Sequence, residues 1–455
     1  MRTPLEKEIL TGLRPQKEDR KHIHTVARTL VAAVDASGIA EGMVVGSVAR
    51  DTWLNGDRDL DVFMLFNPAL SRDELEEKGL GLARAIASTY GERYQEKYAE
   101  HPYINALVEG LDVDLVPCYR VSSPHEIKSA VDRTPFHTRY ISDRIGPHTD
   151  DVLLLKQFAK TGGYYGSDQM TEGFAGYLCE LLVYHYQGFT PLIEAASQWK
   201  RYTFIDIEDI AEKEFGDPLV VIDPVDPKRN VAASVSLSQK FSFVEMARGY
   251  RKKPSRWYFT PVDDPPLSRS GFQKLLADRG TFLYSIVLRT PLLIPDIVVP
   301  QLRKSMAAIR GLLERQGFVV NRSDCSMQEM QSMILFEFLV DHLPPVHRHA
   351  GPPVWEGENA ANFFAKERSR VFCGPYIEDG TYFVEIPRRH TSVKSLLASP
   401  ELLETGLGKH VKLSLQEGWT VQEGIECWEE NFSPFLGRFL KKESPLIQIQ
   451  TRESE

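Results

Sequence analysis

The sequence is poor in cysteine, and its five cysteines are scattered without any Cys-x-x-Cys spacing. Zinc knuckles and disulfide frameworks need closely spaced or paired cysteines, so both classes are excluded. The chain also has no uninterrupted apolar run long enough to span a membrane, because Arg289 and three prolines break its most apolar stretch, 281–300. Its charged N-terminus does not fit a signal peptide. A reducing cytoplasm is therefore the expected location, with no membrane partner.

Basic residues are not in excess either, since 54 Lys and Arg stand against 63 Asp and Glu and the net charge is -9. Proteins bind nucleic-acid phosphates largely through Lys and Arg, so the net charge alone argues against such a partner. The cations are nevertheless clustered, at 248–256, 303–315, 366–370 and 387–394. A solvated surface explains any single cluster, but several of them in an acidic chain keep RNA open as a partner.

The first 150 residues have the pattern of a mixed helix and strand domain. Apolar residues at helical spacing over 5–37 predict one or two amphipathic helices, and a further helix is predicted near 72–90. Between and after these helices, five β-rich segments, the first of them the short MVV at 43–45, predict a sheet. We therefore predict an α+β fold whose head, 1–150, has a central mixed sheet with helices on one face.

The remaining residues give the chain room for about three domains in total. Helical periodicity predicts a helical second domain over 151–260, with a strand and turn in FGDPLVVIDPVDPKRN and a helix beginning at NVAAS. Prolines mark a linker near 261–269. The last part, 261–455, alternates helix and strand patterns, including a helix over PQLRKSMAAIRGLLERQG. We expect mixed α/β, RNA-binding structure there.

Two aspartates interrupt DLDVFMLF, which otherwise has the pattern of a buried strand. Side chains alternate along a strand, so Asp59 and Asp61 share one face. Neighbouring carboxylates in a half-buried place are unfavourable unless a cation lies between them, and a divalent metal is the usual solution. The strand predicted in LDVDLVPCYR offers Asp112 and Asp114 in the same way. If these strands lie close in the sheet, Asp59, Asp61 and Asp114 can hold two Mg²⁺ ions.

A Gly-Ser step precedes the first acidic strand and predicts a phosphate site. Gly46 allows close approach of the backbone to a phosphate, and a helix N-terminus offers unpaired N–H groups. Ser47 adds a hydroxyl that can cap the helix or bind the phosphate. A triphosphate on this turn and metals on the strand together predict attack of a hydroxyl on an α-phosphate, with pyrophosphate as the leaving group.

The spacing of these features is similar to a known signature. Gly46-Ser47, eleven further residues, the Asp59–Val62 segment and a strand acid about fifty residues on resemble the DNA polymerase β nucleotidyltransferase superfamily. In that superfamily the third acid stands in a context like VDLVP, which selects Asp114 over its rival Asp112.

Longer blocks resemble the archaeal-type, class I, CCA-adding tRNA nucleotidyltransferases. They lie between about 43 and 236 and include AEHPYINALVEGLDVDLVPCYR, IKSAVDRTPFHTRYI, LLKQFAKTGGYYGSD, EGFAGYLCELL and IDPVDPKRNVAASVS. The resemblance implies that the three acids bind the metal ions, although members often carry Glu where Asp59 stands. It also implies nucleotide-binding roles for Ser47, Arg50, Thr134, His137, Lys156, Tyr165 and Arg229. A cation suits phosphate, hydroxyl and imidazole groups suit the sugar, and an aromatic ring packs on the ligand.

Arg229 is the candidate for nucleotide choice. The resemblance implies that its guanidinium helps to select C or A without a nucleic-acid template, with RNA phosphate contributing. The alternative is a structural arginine at a Pro-rich turn, satisfied by Asp223 or Asp226.

The expected function is the addition or repair of the 3′-terminal CCA of tRNA from CTP and ATP. Basic segments 303–315 and 366–394, with Arg303, Lys304 and Arg310, are expected to bind the acceptor stem and elbow by shape and phosphate contacts. The sequence leaves a monomer and a homodimer open. The alternatives are a poly(A) polymerase or an oligoadenylate synthetase, which would not use CTP, and a catalytically silent RNA-binding protein.

Three histidines, His342, His347 and His349, lie close together in the sequence. No other residues at metal-ligand spacing accompany them, so we expect a loop that contacts solvent or RNA phosphate and not a zinc site.

Overall fold

The computed structural model describes residues 2–98, 101–261, 266–368 and 371–454. The chain divides into two compact units: unit 1 comprises Met1–Val262 and Ser444–Glu455, and unit 2 comprises Asp263–Glu443. The linker predicted near 261–269 falls partly on residues 262–265, which lie outside the described residues. The boundaries of the three expected domains stay a prediction.

Helices and strands alternate along the chain. The helices, in chain order, are α1 (Pro4–Leu13), α2 (Lys17–Ala36), α3 (Gly46–Ala49), α4 (Arg72–Tyr90), α5 (Thr134–Ile145), α6 (Thr149–Thr161), α7 (Gly176–Tyr186), α8 (Phe189–Ala196), α9 (Leu237–Lys252), α10 (Arg269–Arg279), α11 (Pro295–Arg315), α12 (Gly357–Glu367), α13 (Val393–Leu397), α14 (Lys409–Glu417), α15 (Ser433–Leu440) and α16 (Pro445–Arg452). The strands are β1 (Ala40–Val45), β2 (Asp59–Phe66), β3 (Arg93–Tyr98), β4 (Pro102–Val108), β5 (Leu111–Tyr119), β6 (Thr203–Ile205), β7 (Leu219–Val221), β8 (Phe282–Arg289), β9 (Val320–Met327), β10 (Gln331–Phe338), β11 (Val346–Pro353), β12 (Cys373–Glu378), β13 (Thr381–Pro387) and β14 (Trp419–Glu423).

The head of unit 1 is a five-stranded sheet in the order β1-β2-β5-β4-β3. Strands β2 and β5 are parallel and the other pairs antiparallel, so the sheet is mixed, as predicted. One face, with Leu60, Val62 and Met64, is buried in a core shared with α2 and α4. Burial of this face on the two helices leaves the opposite face of β2 for the aspartates. The prediction of an α+β fold with helices on one face is confirmed.

Helix α4 holds the acid-bearing strand β5 closely. It begins with a capping box between Ser71 and Glu74, and it buries apolar side chains at helical spacing. A Cβ on Gly79 would lie 2.5 Å from the Cβ of Pro117 on β5. Glycine is therefore needed for the helix to pack directly against this strand.

The second half of unit 1 is helical, with a core built around Phe158, Phe189 and Phe243. One predicted boundary is wrong, because α9 begins at Leu237 and not near residue 230. Asn230 binds the backbone of β7 through Val221 and Leu219, which ties this segment to the strand. The helix starts only where the Ser236 hydroxyl accepts from the Gln239 N–H as N-cap.

Unit 2 contains a four-stranded sheet, β14-β8-β10-β9, and a three-stranded sheet, β11-β13-β12. Helix α11 starts at Pro295, earlier than predicted, and includes Pro300. Pro295 suits the first position of a helix, and burial of Val298, Val299 and Leu302 offsets the hydrogen bond lost at Pro300.

The histidine segment is not the expected loop. His347 and His349 lie on β11, because this segment pairs with β13 from Val346 to Ala350. All five cysteines are free thiols. Among the described residues, no helix is both long enough and apolar enough to cross a membrane.

Candidate active site

Four carboxylates lie together on the face of the head sheet opposite the helices. In the parallel pair of β2 and β5, Asp61 lies opposite Asp114 and Asp59 lies opposite Asp112. The residues further along the same face, including Phe63 and the thiol of Cys118, form a separate small core. The predicted alternation of the acids is therefore confirmed, and Asp112 is on the same face as the three predicted ligands.

The carboxylates are held where ionisation is unfavourable. Burial raises the pKa of Asp61 to about 6, and the charges of Asp114 and Asp59 add to this effect, while Arg50 opposes it. Burial also raises the pKa of Asp59 and of Asp114. Carboxylates that are both buried and close to one another fit a site for a divalent cation. In their present rotamers, no three acidic, histidine or cysteine side chains of the described residues stand in a metal-ligand group.

An amide that the sequence analysis missed orients two of the acids. Asn105 on β4 lies opposite Asp114, and its Nδ2 donates to Oδ1 of Asp114 at 2.7 Å and to Oδ1 of Asp112. Gln95 on β3 donates to Oδ1 of Asn105 at 3.2 Å, which fixes the orientation of the amide. The sequence did contain a signal for this residue, because Asn105 is a polar residue within the apolar strand pattern of YINALVEG.

The Gly-Ser turn contacts the acids. Val45, the last residue of β1, lies opposite Asp61, and Gly46 follows with φ +71°. A Cβ on Gly46 would lie 2.2 Å from Oδ2 of Asp61, so any other residue here would have to push that carboxylate aside. Ser47 does not cap α3 as expected, because Val45 is the N-cap residue and no side chain caps the helix. Helix α3 is a single turn, so any phosphate site here consists of its few N–H groups and the Ser47 hydroxyl.

Arg50 and Lys156 are engaged in a buried network around Glu180, which the sequence analysis also missed. Nε of Arg50 lies 2.9 Å from Oε2 of Glu180, and only 7% of the Arg50 side chain is exposed. The Thr52 hydroxyl donates to Glu180, and Nζ of Lys156 donates to the Thr52 carbonyl at 2.7 Å. Burial lowers the pKa of Lys156, while the charge of Glu180 opposes this shift. The network fixes the segment between α3 and β2.

Lys160, one helical turn after Lys156, is a more accessible cation. Its Nζ lies 2.9 Å from Oδ1 of Asp57 and 5.5 Å from the ring centroid of Tyr165. Its charge opposes the rise that burial causes in the pKa of Asp59, and so acts on the acid cluster. The spacing of the two lysines on α6 was a signal for this residue that the sequence analysis did not use.

A cleft of about 850 Å³ brings together three of the predicted nucleotide-binding residues, Thr134, His137 and Arg229. The ring of His137 stacks on Tyr177, with centroids 4.3 Å apart. Helix α5, which carries Thr134 and His137, packs on α3, and Nη1 of Arg50 donates to the Thr138 hydroxyl at 3.2 Å. The cleft and the Gly-Ser turn are thus adjacent. Ser47, Lys156 and Tyr165 do not line the cleft.

Asp223 joins two of the cleft residues and has no exposed surface. Its Oδ2 lies 2.8 Å from Nε2 of His137 and accepts from Nη1 of Arg229 at 2.8 Å. Burial opposes ionisation of Asp223, but the bond from His137, the Val225 N–H and the charge of Arg229 together lower its pKa. Arg229 therefore has the aspartate partner of the structural alternative, while 38% of its side chain is exposed at the cleft.

The predicted RNA-binding residues lie on α11 in unit 2. Lys304 and Arg310 are exposed and Arg303 is half-buried, on faces away from the buried Val298, Leu302 and Ile309. Nε of Arg310 bonds Oε1 of Glu314 at 2.8 Å, so its charge is partly neutralised. Residues 369–370 of the second basic segment lie outside the described residues.

Comparison with known proteins identifies the family. Residues 28–137 match the nucleotidyltransferase domain, 150–260 the second domain of tRNA nucleotidyltransferase, and 279–424 the C-terminal domain of the CCA-adding enzyme. The CCA-adding enzyme of Methanoregula boonei is 56% identical over 450 residues, which cover 99% of this chain and 98% of that protein. The chain belongs to the CCA-adding enzyme family.

More distant CCA-adding enzymes match over a similar length. That of Methanosarcina mazei is 40% identical over 446 residues, covering 96% of this chain and 98% of that protein. That of Haloarcula marismortui is 39% identical over 434 residues, covering 90% of this chain and 92% of that protein. The predicted family, the nucleotidyltransferase head and the enzyme class are thereby confirmed. Nucleotidyltransferases of this kind generally use divalent metal ions.

Proposed function

We propose that this CCA-adding enzyme builds or repairs the 3′-terminal CCA of tRNA, taking C, C and A from CTP and ATP without a template. The observation that supports this most directly is the facing pair Asp61 and Asp114, with Gly46 packed on Asp61 and the nucleotide cleft beside it. The RNA 3′-hydroxyl attacks the α-phosphate. A bond forms between the 3′-oxygen and phosphorus, and the bond to pyrophosphate breaks.

Asp59, Asp61 and Asp114 would hold Mg²⁺ ions. When bound there, such ions would supply positive charge that lowers the pKa of the attacking hydroxyl and offsets the charge of the leaving pyrophosphate, so no nucleophilic side chain would be required. The raised pKa values of all three carboxylates support a cation site, because each carboxylate gains by sharing one. Nδ2 of Asn105 donates to Oδ1 of both Asp114 and Asp112, so it orients both carboxylates.

The nucleotide would lie between the Gly-Ser turn and the cleft. In this arrangement Ser47 and the α3 backbone bind the triphosphate, Thr134 and His137 bind the sugar and phosphates, and Arg229 contacts the base. Arg50 and Lys156 would act mainly by fixing the turn, since both are buried and bonded to protein groups. Tyr165 would pack on the ligand with Lys160, whose ammonium is the more accessible cation.

The tRNA acceptor stem and elbow would be bound by phosphate and shape contacts. Arg303, Lys304 and Arg310 on α11 and the segment 366–394 are our candidates for these contacts. The exposed position of Lys304 supports this assignment, whereas the pairing of Arg310 with Glu314 makes its contribution smaller. A homodimer remains compatible with this function, and we place the reaction in the cytoplasm.

A product assay tests the proposal. Transcripts of tRNA that end before CCA are supplied with Mg²⁺ and with each labelled nucleotide singly and together. We expect two C additions from CTP alone, a final A only when ATP is present, and no product from Asp61→Ala. The surface variant Glu41→Gln on β1 serves as the control and keeps its activity. Long A tails would indicate a poly(A) polymerase, and tRNA binding without incorporation a silent RNA-binding protein.

A further inference from the structure

A single buried oxygen connects two parts of the nucleotide cleft. Oδ2 of Asp223 bonds both Nε2 of His137, on α5, and Nη1 of Arg229, in the turn after β7. The backbone of this turn is also closed, since the Asp223 N–H donates to the Arg229 carbonyl and the Arg229 N–H donates to the Asp226 carbonyl. Oδ1 of Asp223 accepts from the Val225 N–H at 3.0 Å. The carboxylate is therefore fixed before any ligand arrives.

This contact determines which atoms of the two side chains remain for a ligand. The bond to Asp223 engages Nη1 of Arg229, and among the described residues no side chain or carbonyl accepts a hydrogen bond from its Nε or Nη2. Because Nε2 of His137 faces the carboxylate, it carries the hydrogen, and Nδ1 is the nitrogen left for a ligand. Stacking on Tyr177 fixes the plane of the His137 ring.

We propose that Asp223 is a positioning residue for nucleotide choice, which holds the Arg229 fork and the His137 ring in one fixed relationship. The inference depends on the proposed function, in which Arg229 contacts the base and His137 the sugar and phosphates. Cytosine and adenine share a ring-nitrogen acceptor beside an amino group, whereas uracil and guanine present a carbonyl oxygen beside an N–H. A guanidinium that can turn will also donate a hydrogen bond to that carbonyl oxygen. Fixing the orientation of the Arg229 guanidinium therefore favours cytosine and adenine.

The test compares Asp223→Asn with a control carboxylate of the same burial. Asp132 is also fully buried, and it accepts only backbone N–H groups, from Tyr119, Lys128 and Ser129. Initial rates with CTP and with UTP are measured on tRNA that ends before CCA. For Asp223→Asn we expect the CTP to UTP ratio of kcat/KM to fall about tenfold or more, because a charge-assisted bond to the fork is lost. Asp132→Asn lowers the melting temperature and leaves the ratio unchanged.

A double-mutant cycle shows whether Asp223 acts through Arg229. In an Arg229→Ala background, Asp223→Asn should cause no further loss of the CTP to UTP ratio. An unchanged ratio in Asp223→Asn, an equal loss in Asp132→Asn, or an additive loss in the double variant would overturn the proposal. If Asp223→Asn does not fold, the cycle is made with Arg229→Gln and His137→Gln. These two must then be non-additive, and additivity overturns the proposal.

Direct binding separates this inference from the proposed function. Affinities for CTP and UTP are measured by calorimetry for the full chain, with and without tRNA that ends before CCA. If the wild-type protein incorporates no nucleotide, the proposed function fails. A lower preference for CTP over UTP in the binding of Asp223→Asn would still support the positioning role, and an unchanged preference would overturn it.

Discussion

Gly46 and Asp61 are in direct contact: a Cβ on Gly46 would lie 2.2 Å from Oδ2 of Asp61, in the place that the carboxylate now fills. Gly46→Ala should therefore displace the carboxylate and lower kcat by at least about a hundredfold, as ångström-scale misplacement of a catalytic group does. Gly56→Ala is the matched control, because Gly56 also has positive φ, +89°, but no neighbour within 4 Å. Both variants carry the backbone strain, so equal activities would contradict the assignment of Gly46 to the site.

Asp61 is the acid whose charge is least favourable without a cation. Its pKa near 6, against 3.8 for an ordinary aspartate, corresponds to at most about 3 kcal/mol of destabilisation at neutral pH in metal-free protein. Asp61→Asn should therefore melt at a higher temperature than wild type without metal, while losing activity. Mg²⁺ should raise the melting temperature of wild type and not of the variant. An equal rise in both would place the metal elsewhere.

The alternation of acids along β2 and β5 was predictable, because the period of a strand alone places Asp59 with Asp61 and Asp112 with Asp114. The pairing of β2 with β5 was not predictable, because strand order depends on the packing of α2 and α4 on one face of the sheet. The contact of Asn105 with two of the acids follows from that order and was missed for the same reason.

Contacts between side chains that are distant in the sequence were the main feature that could not be predicted. The family resemblance assigns Arg50 and Lys156 to the nucleotide, but it does not indicate that Glu180 lies between them in a buried network. Similarly, helical periodicity does not locate the start of α9, because Asn230 bonds to β7 and competes with helix formation. Local pattern predicts elements and faces, whereas buried ion pairs depend on the tertiary structure.

Lys156 and Lys160 should differ in what they support. Lys156→Met removes a buried ammonium bonded to the Thr52 carbonyl, so we expect lower stability together with lower activity. Lys160 is about one-third exposed, and Lys160→Met should raise the KM for nucleotides several-fold with little change in melting temperature. Thermal melts and nucleotide titrations of both variants check this. If Lys156→Met instead raised the KM for nucleotides without a change in stability, Lys156 would be a direct ligand of the triphosphate.

The basic face of α11 makes a prediction about salt dependence. Reversing two charges, in Arg303→Glu with Lys304→Glu, should weaken tRNA binding and reduce the slope of log affinity against log salt by about two. Lys274→Glu, an exposed change on α10 of the same unit, is the control with the same type of charge reversal. Unchanged tRNA affinity of the double variant at physiological salt would remove α11 from the RNA interface.

Glu337 makes a pH-dependent contribution to the stability of unit 2. Burial opposes its ionisation, but four hydrogen-bonding side chains lower its pKa to about 2: Arg279, Thr281, Arg322 and Asn321. A carboxyl whose pKa is lowered on folding stabilises the protein above its unfolded value, near 4.5, and this contribution is lost as the pH falls toward 2. At neutral pH it amounts to about 3 kcal/mol.

Glu337→Gln should therefore be less stable than wild type at pH 7 by up to about 3 kcal/mol, and the difference should shrink between pH 4.5 and pH 2. Chemical denaturation at pH 7, 4 and 3 measures this difference in the free energy of unfolding. Glu417→Gln is the control, because Glu417 is 65% exposed and lies 3.9 Å from Arg289, so its charge contributes little. A difference for Glu337→Gln that stays constant down to pH 3 would mean that the lost contacts, and not the charge, are responsible.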